Sequence, residues 1–560
     1  MGKPDSRWPH VYYAALMVFT ILSYWLLGHF LFITYRVPVG NTGVYAEGLV
    51  TLVHHHWGGF DSFVGTAIYA DAGEFIAYLL IPVYGLLGMA GLWWTWGAAI
   101  GVSAILADRL AIRSRLTVGA RVVIALAIVA NGFILTNFLT SWDFDVLFIP
   151  GILGLALMMQ DETSLWYILP TTLLTALIKD EAGIFLFGWA LIEAVIHRNG
   201  RARWLMVGVV GLAAFAAGHT LIKYFWPGTP SQIGLHYAAI GGTGGLSGVI
   251  RYLAFRPATI PMALILHWHY VLQVVASSGG AMLTGPEAIP AWLVTIVNGL
   301  GSGGLGALMW HANFEFTLMV VPFAVLALLD ALKRWPRVVP ILGGVLMVFT
   351  AVYIVQFSPS FVPSMPPSAI ADWNSMVAWY RRQPRKPVVY AQNETAAHFL
   401  SGAPTGVGVD SLRSIADLAA RDHRHLILAY DPRVQNDGDP LRWPTRLAAL
   451  EAAGDLSPMG GLSHGDLHVY RVRVLRLLDQ SRTMSTILPT RLQIEPWMWI
   501  GETLALQLAP GRYRVTSGKL VGAAGGTYAG GILTVSTGEY VRNVVLTGHG
   551  ALTLVVMAPH

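Results

Sequence analysis

The sequence predicts an α-helical polytopic membrane protein of about 11 transmembrane helices, followed by a C-terminal extracytoplasmic α/β domain and a terminal β-sandwich-like module. Three observations carry this expectation. Of the 560 residues, 54% are hydrophobic and only 12% are charged, where a soluble domain carries about 25% charge. Apolar runs of membrane-crossing length recur from the N-terminus to residue 356. Beyond that point strand and helix signals alternate, and then short strands follow one another between glycine-rich turns.

The composition excludes several classes of function. The net charge is +5, and the basic residues cluster between apolar runs. That pattern sets membrane topology and argues against nucleic acid as a partner; the partner it implies is the lipid bilayer. There is no cysteine, so disulfides, thiolate metal sites and thiol nucleophiles are excluded.

Each element follows from hydropathy and charge. Residues 11–35 form an apolar run preceded by Lys3 and Arg7. The run is long for a signal peptide and reads as a retained first helix starting in the cytoplasm. Residues 36–74 are too polar to span and lie outside. Residues 75–92, broken by Pro82, read as an interfacial or re-entrant lead-in, and 93–107 cross inward to Asp108, Arg109, Arg113, Arg115 and Arg121. The arginines mark the cytoplasmic side. Residues 116–139 go out to a turn holding Trp142, Asp143 and Asp145, and 146–160 return to Asp161 and Glu162. Residues 165–178 go out to Lys179, Asp180 and Glu181, and 184–196 return to the basic turn His197–Arg203. Residues 204–222 go out to a glycine-rich outer loop over 223–257. Residues 258–277 go in, 289–305 out, 316–332 in to Lys333, Arg334 and Arg337, and 338–356 out.

The remaining chain divides by composition. Residues 1–356 form the transmembrane domain, 357–368 a Pro/Ser linker, 369–478 the α/β domain and 479–560 the all-β module. In the α/β domain, helical patterns at 369–381, 412–421 and 441–453 alternate with strand patterns at 386–391, 425–430 and 467–474. In the β module, strands are predicted near 504–508, 511–516, 531–536, 541–546 and 551–556.

The most conspicuous polar feature is the triplet Lys179, Asp180 and Glu181 between two apolar runs. One charge at the bilayer centre costs roughly 2.5–3.5 kcal/mol on insertion scales, so three together belong at a membrane face or in a polar cavity. The topology gathers more ionisable groups on the same outer face: Glu47, Asp61, Asp71, Glu74, Asp143, Asp145, Arg251, Arg256, His311 and Glu315. Any one of them is explained by an ordinary polar turn. As a set they suit group transfer from a phosphate-linked donor, because carboxylates serve as general bases or ligands of a divalent cation, and Lys and Arg neutralise phosphate. Other features are weaker. His54, His55 and His56 are adjacent, and metal sites use spaced ligands. His267 and His269 lie within an apolar run on nearly opposite helix faces, where neutral imidazoles satisfied by packing explain them. Gly241–Gly245 lacks the flanking strand and Lys-Ser/Thr of a phosphate-binding loop.

In this order the motifs resemble a family of large bacterial membrane proteins of unknown function, placed among the GT-C-type glycosyltransferases. The resemblance covers about residues 36–400. The family's first outer segment reads Asp-Leu-Gly-x-Tyr/Phe-x-Gln, and Asn41-Thr-Gly-Val-Tyr-Ala-Glu47 stands in its place here. An Asp-His-x-x-Pro-like stretch before a Pro-Leu-Tyr run is matched by Asp71-Ala-Gly-Glu74 and Ile81-Pro-Val-Tyr84, and a Phe-His-Pro-like turn by Phe144-Asp145. A Lys-Glu-Asp signature is matched by Lys179-Asp180-Glu181, and a late-helix histidine by His311.

The resemblance implies a GT-C-like membrane domain in the bacterial cytoplasmic membrane, with the N-terminus inside and the C-terminal domains outside. It implies a polyprenyl-phosphate-linked sugar as donor, transferred at the outer face. The expected catalytic residues are then Glu47, Asp71 and Glu74. Asp143, Asp145, Lys179, Asp180, Glu181, Arg251, Arg256 and His311 are expected to bind substrate or phosphate, and Asp71, Asp180 and Glu181 to hold a divalent cation, Mg or Mn.

Three departures stand against it: Asn41 replaces the expected aspartate, and Ala72 and Asp145 stand where histidines are expected. An amide cannot serve as a base. Either another outer-segment carboxylate supplies that function, or the chain is a catalytically inactive GT-C-like scaffold, a subunit or assembly factor working with membrane-protein partners. A transporter is a third reading, but paired inverted halves are not evident in the sequence.

Overall fold

The structure, a computed structural model, describes residues 8–35, 40–53, 73–140, 142–198, 200–225, 232–301, 315–357, 365–391, 395, 397–399, 419, 424–433, 443–473, 491–494, 503–508, 511–524, 527–535 and 542–556. In chain order the membrane region holds α1 (Trp8–Ile33), α2 (Gly40–Val53), α3 (Ala77–Leu87), α4 (Met89–Arg113), α5 (Val118–Val129), α6 (Gly132–Thr140), α7 (Phe148–Gln160), α8 (Leu165–Ala176), α9 (Asp180–Ile196) and α10 (Arg201–Phe225). It continues with α11 (Gln232–His236), α12 (Gly245–Phe255), α13 (Thr259–Leu266), α14 (Trp268–Ser277), α15 (Ile289–Gly299), α16 (Val321–Arg334) and α17 (Val339–Phe357). The C-terminal region adds α18 (Pro367–Arg382), β1 (Val388–Ala391), β2 (Leu426–Tyr430), α19 (Trp443–Ala452), β3 (Leu456–Pro458), β4 (His468–Val472), β5 (Arg491–Ile494), β6 (Thr503–Leu508), β7 (Gly511–Ala524), β8 (Thr527–Ala529), β9 (Ile532–Val535) and β10 (Arg542–Val556).

The chain is a membrane protein. Among the described residues, five helical stretches are long and apolar enough to cross a bilayer: His10–Ile33, Met89–Arg113, Val118–Leu139, Arg201–Phe225 and Pro336–Val355. The other predicted spans are shorter or broken helices. The lead-in before α4 is the separate helix α3, and α12 and α13 meet at a bend of 96°. Two segments read as outer loops contain helix: α2 lies within 36–74, and α11 and α12 lie within 223–257.

The chain divides into two compact units. The first comprises Met1–Pro227, Val275–Ala291 and Leu318–Thr483. Its helices pack closely. A Cβ at Gly97 would stand 2.7 Å from Ile21 Cα, and one at Gly101 would stand 2.6 Å from Thr20 Oγ1. The two glycines lie one turn apart on α4 and let α1 approach backbone to backbone. The span over 118–139 breaks between α5 and α6. There Asn131 Oδ1 accepts from Phe133 N at 3.0 Å, and the freed Ala130 carbonyl accepts from Thr350 Oγ1 of α17 at 2.6 Å. A break at membrane depth survives because its polar groups find protein partners. At one end of this bundle, Arg121 holds Asp108 through two nitrogens at 2.7 and 2.9 Å, and Arg113 meets Asp161 at 3.0 Å. These arginines are among those expected from the sequence on the cytoplasmic side.

The α/β domain lies in the same unit. Its sheet has the order β1-β2-β4-β3, with β1 parallel to β2 and the other pairs antiparallel. Side chains alternate between its faces. Val389, Ala391, Ile427 and Ala429 pack with Trp373, Met376 and Tyr380 of α18, while Val388, Tyr390, Leu426 and Leu428 pack with Leu447 and Leu450 of α19. Tyr35, just beyond α1, is part of the first cluster, so this core includes a residue from the membrane region. The helical pattern at 412–421 falls almost wholly outside the described residues. The short edge strand β3 carries no recognisable period and is absent from the prediction.

The second unit comprises Gly228–Val274, Trp292–Thr317 and Met484–His560. Its strands form one six-stranded sheet, β5-β10-β7-β9-β8, with β6 also paired to β10. The two strands predicted near 541–546 and 551–556 are one, β10, which continues through register shifts at Thr547/Gly548 and His549/Thr553. Bulges of this kind bend a strand without ending it, which is why the glycine-rich stretch between them looked like a turn. In the helical part of this unit, Asn298 Nδ2 donates to Tyr270 Oη at 2.9 Å and to the Phe316 carbonyl at 3.0 Å.

Candidate functional site

Four segments of the first unit converge on one buried polar cluster: α2, the turn before α3, the turn between α6 and α7, and the turn between α8 and α9. The α8–α9 turn is held against residues 73–76 by Ile76 N donating to the Leu177 carbonyl at 2.8 Å. Gly73, at φ +67°, lies against Asp180, where a Cβ would stand 3.0 Å from Asp180 Cβ. Lys179 itself is extended and precedes the first turn of α9, in which Asp180 and Glu181 lie. Carboxylates are favoured at a helix N-terminus, which accounts for both acids without substrate. Both are only partly buried. Burial, followed by the neighbouring Glu181 carboxylate, pushes the Asp180 carboxyl well above its ordinary range.

Lys179 turns the other way. Its Nζ lies 3.4 Å from Asp145 Oδ2 and 3.9 Å from Asp143 Oδ2, and all three side chains are buried. Asp143 caps the single helical turn Phe144–Leu147, its Oδ1 accepting from Asp145 N at 2.9 Å. Its Oδ2 lies 2.8 Å from Tyr45 Oη, which in turn lies 2.5 Å from Glu74 Oε1. A phenol carries one proton, so it donates to only one of these two carboxyl oxygens. The other contact requires a proton on a carboxyl group. Glu74 holds it: burial, and then the negative charge of Asp143, push its carboxyl well above the usual range. The chain therefore runs from the Glu74 carboxyl, through Tyr45, to the Asp143 carboxylate, and on to Lys179 and Asp145.

Aromatic rings wall this chain. Tyr45 packs on Phe144 at 4.7 Å and on Trp142 at 5.9 Å between centroids, and Trp142 Nε1 donates to the Leu92 carbonyl at 2.9 Å. In such a dry setting charge interactions are far stronger than in water. The arrangement can hold one proton between two carboxyl groups and can exchange an internal ion pair for an external anion.

The predicted site residues separate into groups. Glu74, Asp143, Asp145 and Lys179 come together, and Glu47 is buried in α2, the helix that carries Tyr45. Asp180 and Glu181 lie at the edge of the same turn. Arg251 and Arg256 belong to the second unit and are exposed on or just after α12, with Arg256 over the Tyr252 ring at 5.1 Å. Asp71 and His311 lie outside the described residues, as do Asp61 and His54–His56. Among the described residues, the outer carboxylates do not bring three ligand atoms within metal-binding range of one another. Sequence reasoning missed Tyr45. Its signal was present, since Tyr45 fills the Tyr/Phe slot of the first outer motif, but an aromatic residue in a helical segment is ordinarily core.

This arrangement, a helical membrane bundle followed by C-terminal α/β and β-rich regions, is shared with a solved membrane protein. ArnT from Cupriavidus metallidurans, solved bound to undecaprenyl phosphate, has this fold: the match covers 82% of this chain and 97% of that one, with a TM-score of 0.51 and 14% sequence identity. The apo structure of the same ArnT covers 82% of this chain and 98% of its own at 13% identity, with a TM-score of 0.38. No protein-family model matches the sequence, and no curated protein matches it.

Proposed function

We propose that this chain is a membrane glycosyltransferase. It moves a sugar from a polyprenyl-phosphate-linked donor to an acceptor at the extracytoplasmic face of a bacterial cytoplasmic membrane, with its C-terminal domains on that face. The observation that carries this reading is the buried chain Glu74–Tyr45–Asp143–Lys179–Asp145. Its support is a fold shared with a protein solved with undecaprenyl phosphate bound. In transfer, the acceptor hydroxyl loses its proton to the Asp143 end of the carboxyl pair. The acceptor oxygen bonds to the anomeric carbon as the bond from that carbon to the phosphate oxygen breaks. The polyprenyl phosphate leaves with the bonding electrons. Once Asp143 is protonated, Lys179 has lost one of its counter-charges and can neutralise the departing phosphate. Proton uptake and phosphate stabilisation are thereby coupled.

The test is transfer by the purified protein from a panel of polyprenyl-phosphate sugars, together with the cellular glycan profile of Asp143→Asn and Lys179→Met strains. Sugar transfer by the wild type that both variants lose supports the proposal. No transfer from any such donor, with unchanged glycans in both strains, overturns it. Asn41 in the first outer motif favours a second reading, a non-catalytic scaffold of a membrane complex. That reading expects stable co-purification with membrane partners and no transfer.

A further inference from the structure

At the end of α9 remote from Lys179, three metal-ligand side chains meet. Glu193 is on the last turn of α9, and His197, one turn on, caps it. Glu287 comes from the short helical turn Pro286–Ala288 before α15. His197 Nε2 lies 3.2 Å from Glu193 Oε2 and 3.4 Å from Glu287 Oε1, and the three ligand atoms lie within 4.8 Å of one another. Ligands bound at about 2.0–2.2 Å in tetrahedral or octahedral geometry are themselves about 3–3.5 Å apart. The two shorter spacings are already those of a coordination shell. Glu193 is fourteen residues beyond Lys179 along α9, which is about 21 Å at the α-helical rise.

We propose that Glu193, His197 and Glu287 bind a first-row divalent cation of the zinc class. Three further features support it. The donor set mixes one imidazole with two carboxylates, a combination suited to zinc or manganese and poorly suited to magnesium. The Glu193 side chain is only 6% exposed, and Trp189 Nε1 donates to its Oε1 at 2.9 Å, which leaves Oε2 facing His197. Outer partners that orient a ligand in this way are typical of metal sites. Charge also asks for a cation. Two carboxylates share one imidazole at the C-terminus of a helix, where the helix dipole adds further negative potential. His197 is 51% exposed, which leaves room for water to complete the shell. The ion ties the end of α9 to the loop before α15. Glu287 sits beside α16, where Gly285 lies against Asp330 and Arg334.

The test uses the full chain in detergent with any affinity tag removed, stripped with chelator, exposed to micromolar zinc chloride and desalted. Bound metal is measured by mass spectrometry, and the thermal midpoint is read with and without zinc. Expected is one zinc per chain lost in His197→Ala, and a rise in midpoint on adding zinc that His197→Ala abolishes. His197 is half exposed, so this variant keeps the fold; Glu287→Gln provides a second. Equal zinc in wild type and both variants overturns the proposal. So does zinc lost only when His54, His55 and His56 are replaced, or binding that needs millimolar metal. In those cases His197 simply sits between two glutamates as a polar contact.

Discussion

Lys179 Nζ lies 3.4 Å from Asp145 Oδ2, with both side chains buried. The pair comes from two turns that the sequence separates by two helices, and Asp143 makes it a triad. Removing one partner of a buried ion pair leaves an uncompensated charge, which costs roughly 3–5 kcal/mol. Lys179→Met is expected to lower the thermal midpoint of the detergent-solubilised protein. Adding Asp145→Asn to Lys179→Met is expected to restore part of the loss. A double variant no more stable than Lys179→Met would show that the two charges are not coupled.

Tyr45 joins two carboxyl groups through one hydroxyl. Tyr45→Phe keeps the ring contacts and removes the bridge. If the pair takes the acceptor's proton, transfer is expected to fall by about 10²–10⁴-fold, the range of general base catalysis. The midpoint is expected to change little by comparison. Initial rates with saturating donor check this, and a rate within threefold of wild type counts against the bridge.

Glu74 gives a pH dependence of defined sign. Its native carboxyl titrates well above 4.5, chiefly through burial and next through Asp143. The native state therefore keeps a proton that the unfolded chain has released. This contribution to stability is complete below the ordinary carboxyl range and declines as pH rises toward the native value. Glu74→Gln, neutral at every pH, is expected to flatten the decline. Thermal midpoints measured from about pH 5 to pH 9 make the comparison.

Gly73 is at φ +67° and lies against Asp180. Alanine there meets both the left-handed backbone penalty, about 1–2 kcal/mol, and a close contact. Gly73→Ala is expected to shift the turn that carries Glu74 away from Lys179. Activity should fall more than the midpoint alone explains; an unchanged rate would place that turn outside the site.

His398 joins the α/β domain to the end of α1. Its ring stacks on Phe32 and Tyr35 at 4.1 Å, and its Nε2 lies 2.9 Å from the Phe32 carbonyl. Burial pulls the imidazole down to about 4. The native state thus binds fewer protons, so this contact weakens as pH falls from the ordinary histidine value of 6.5 toward about 4. Hydrogen exchange in α18, Pro367–Arg382, is expected to speed up over that interval, and His398→Phe is expected to remove the pH dependence.

Much of this protein was legible from local pattern. Hydropathy marked the membrane region, arginine placement paired Arg121 and Arg113 with one end of the bundle, short apolar strand patterns marked β1 and β2, and alternation marked β4. These signals are local because burial in lipid or in a sheet imposes a short period on the chain. The topology read from hydropathy also expected Asp143, Asp145 and Lys179 on one face, and the three side chains do meet. Other features carried no such period. The merging of two predicted strands into β10 depends on bulges, which composition does not distinguish from turns. Tyr45 reads as core until Glu74 and Asp143 stand beside it. Glu193, His197 and Glu287 read as an ordinary helix end and loop until the chain returns Glu287 to them. The sequence by itself determined that the chain holds apolar stretches long enough to cross a membrane and where charges cluster between them, through hydration costs set residue by residue. Only the tertiary structure decided which charges meet, because proton sharing and metal-ligand spacing depend on distances of a few ångströms between segments that no local pattern relates.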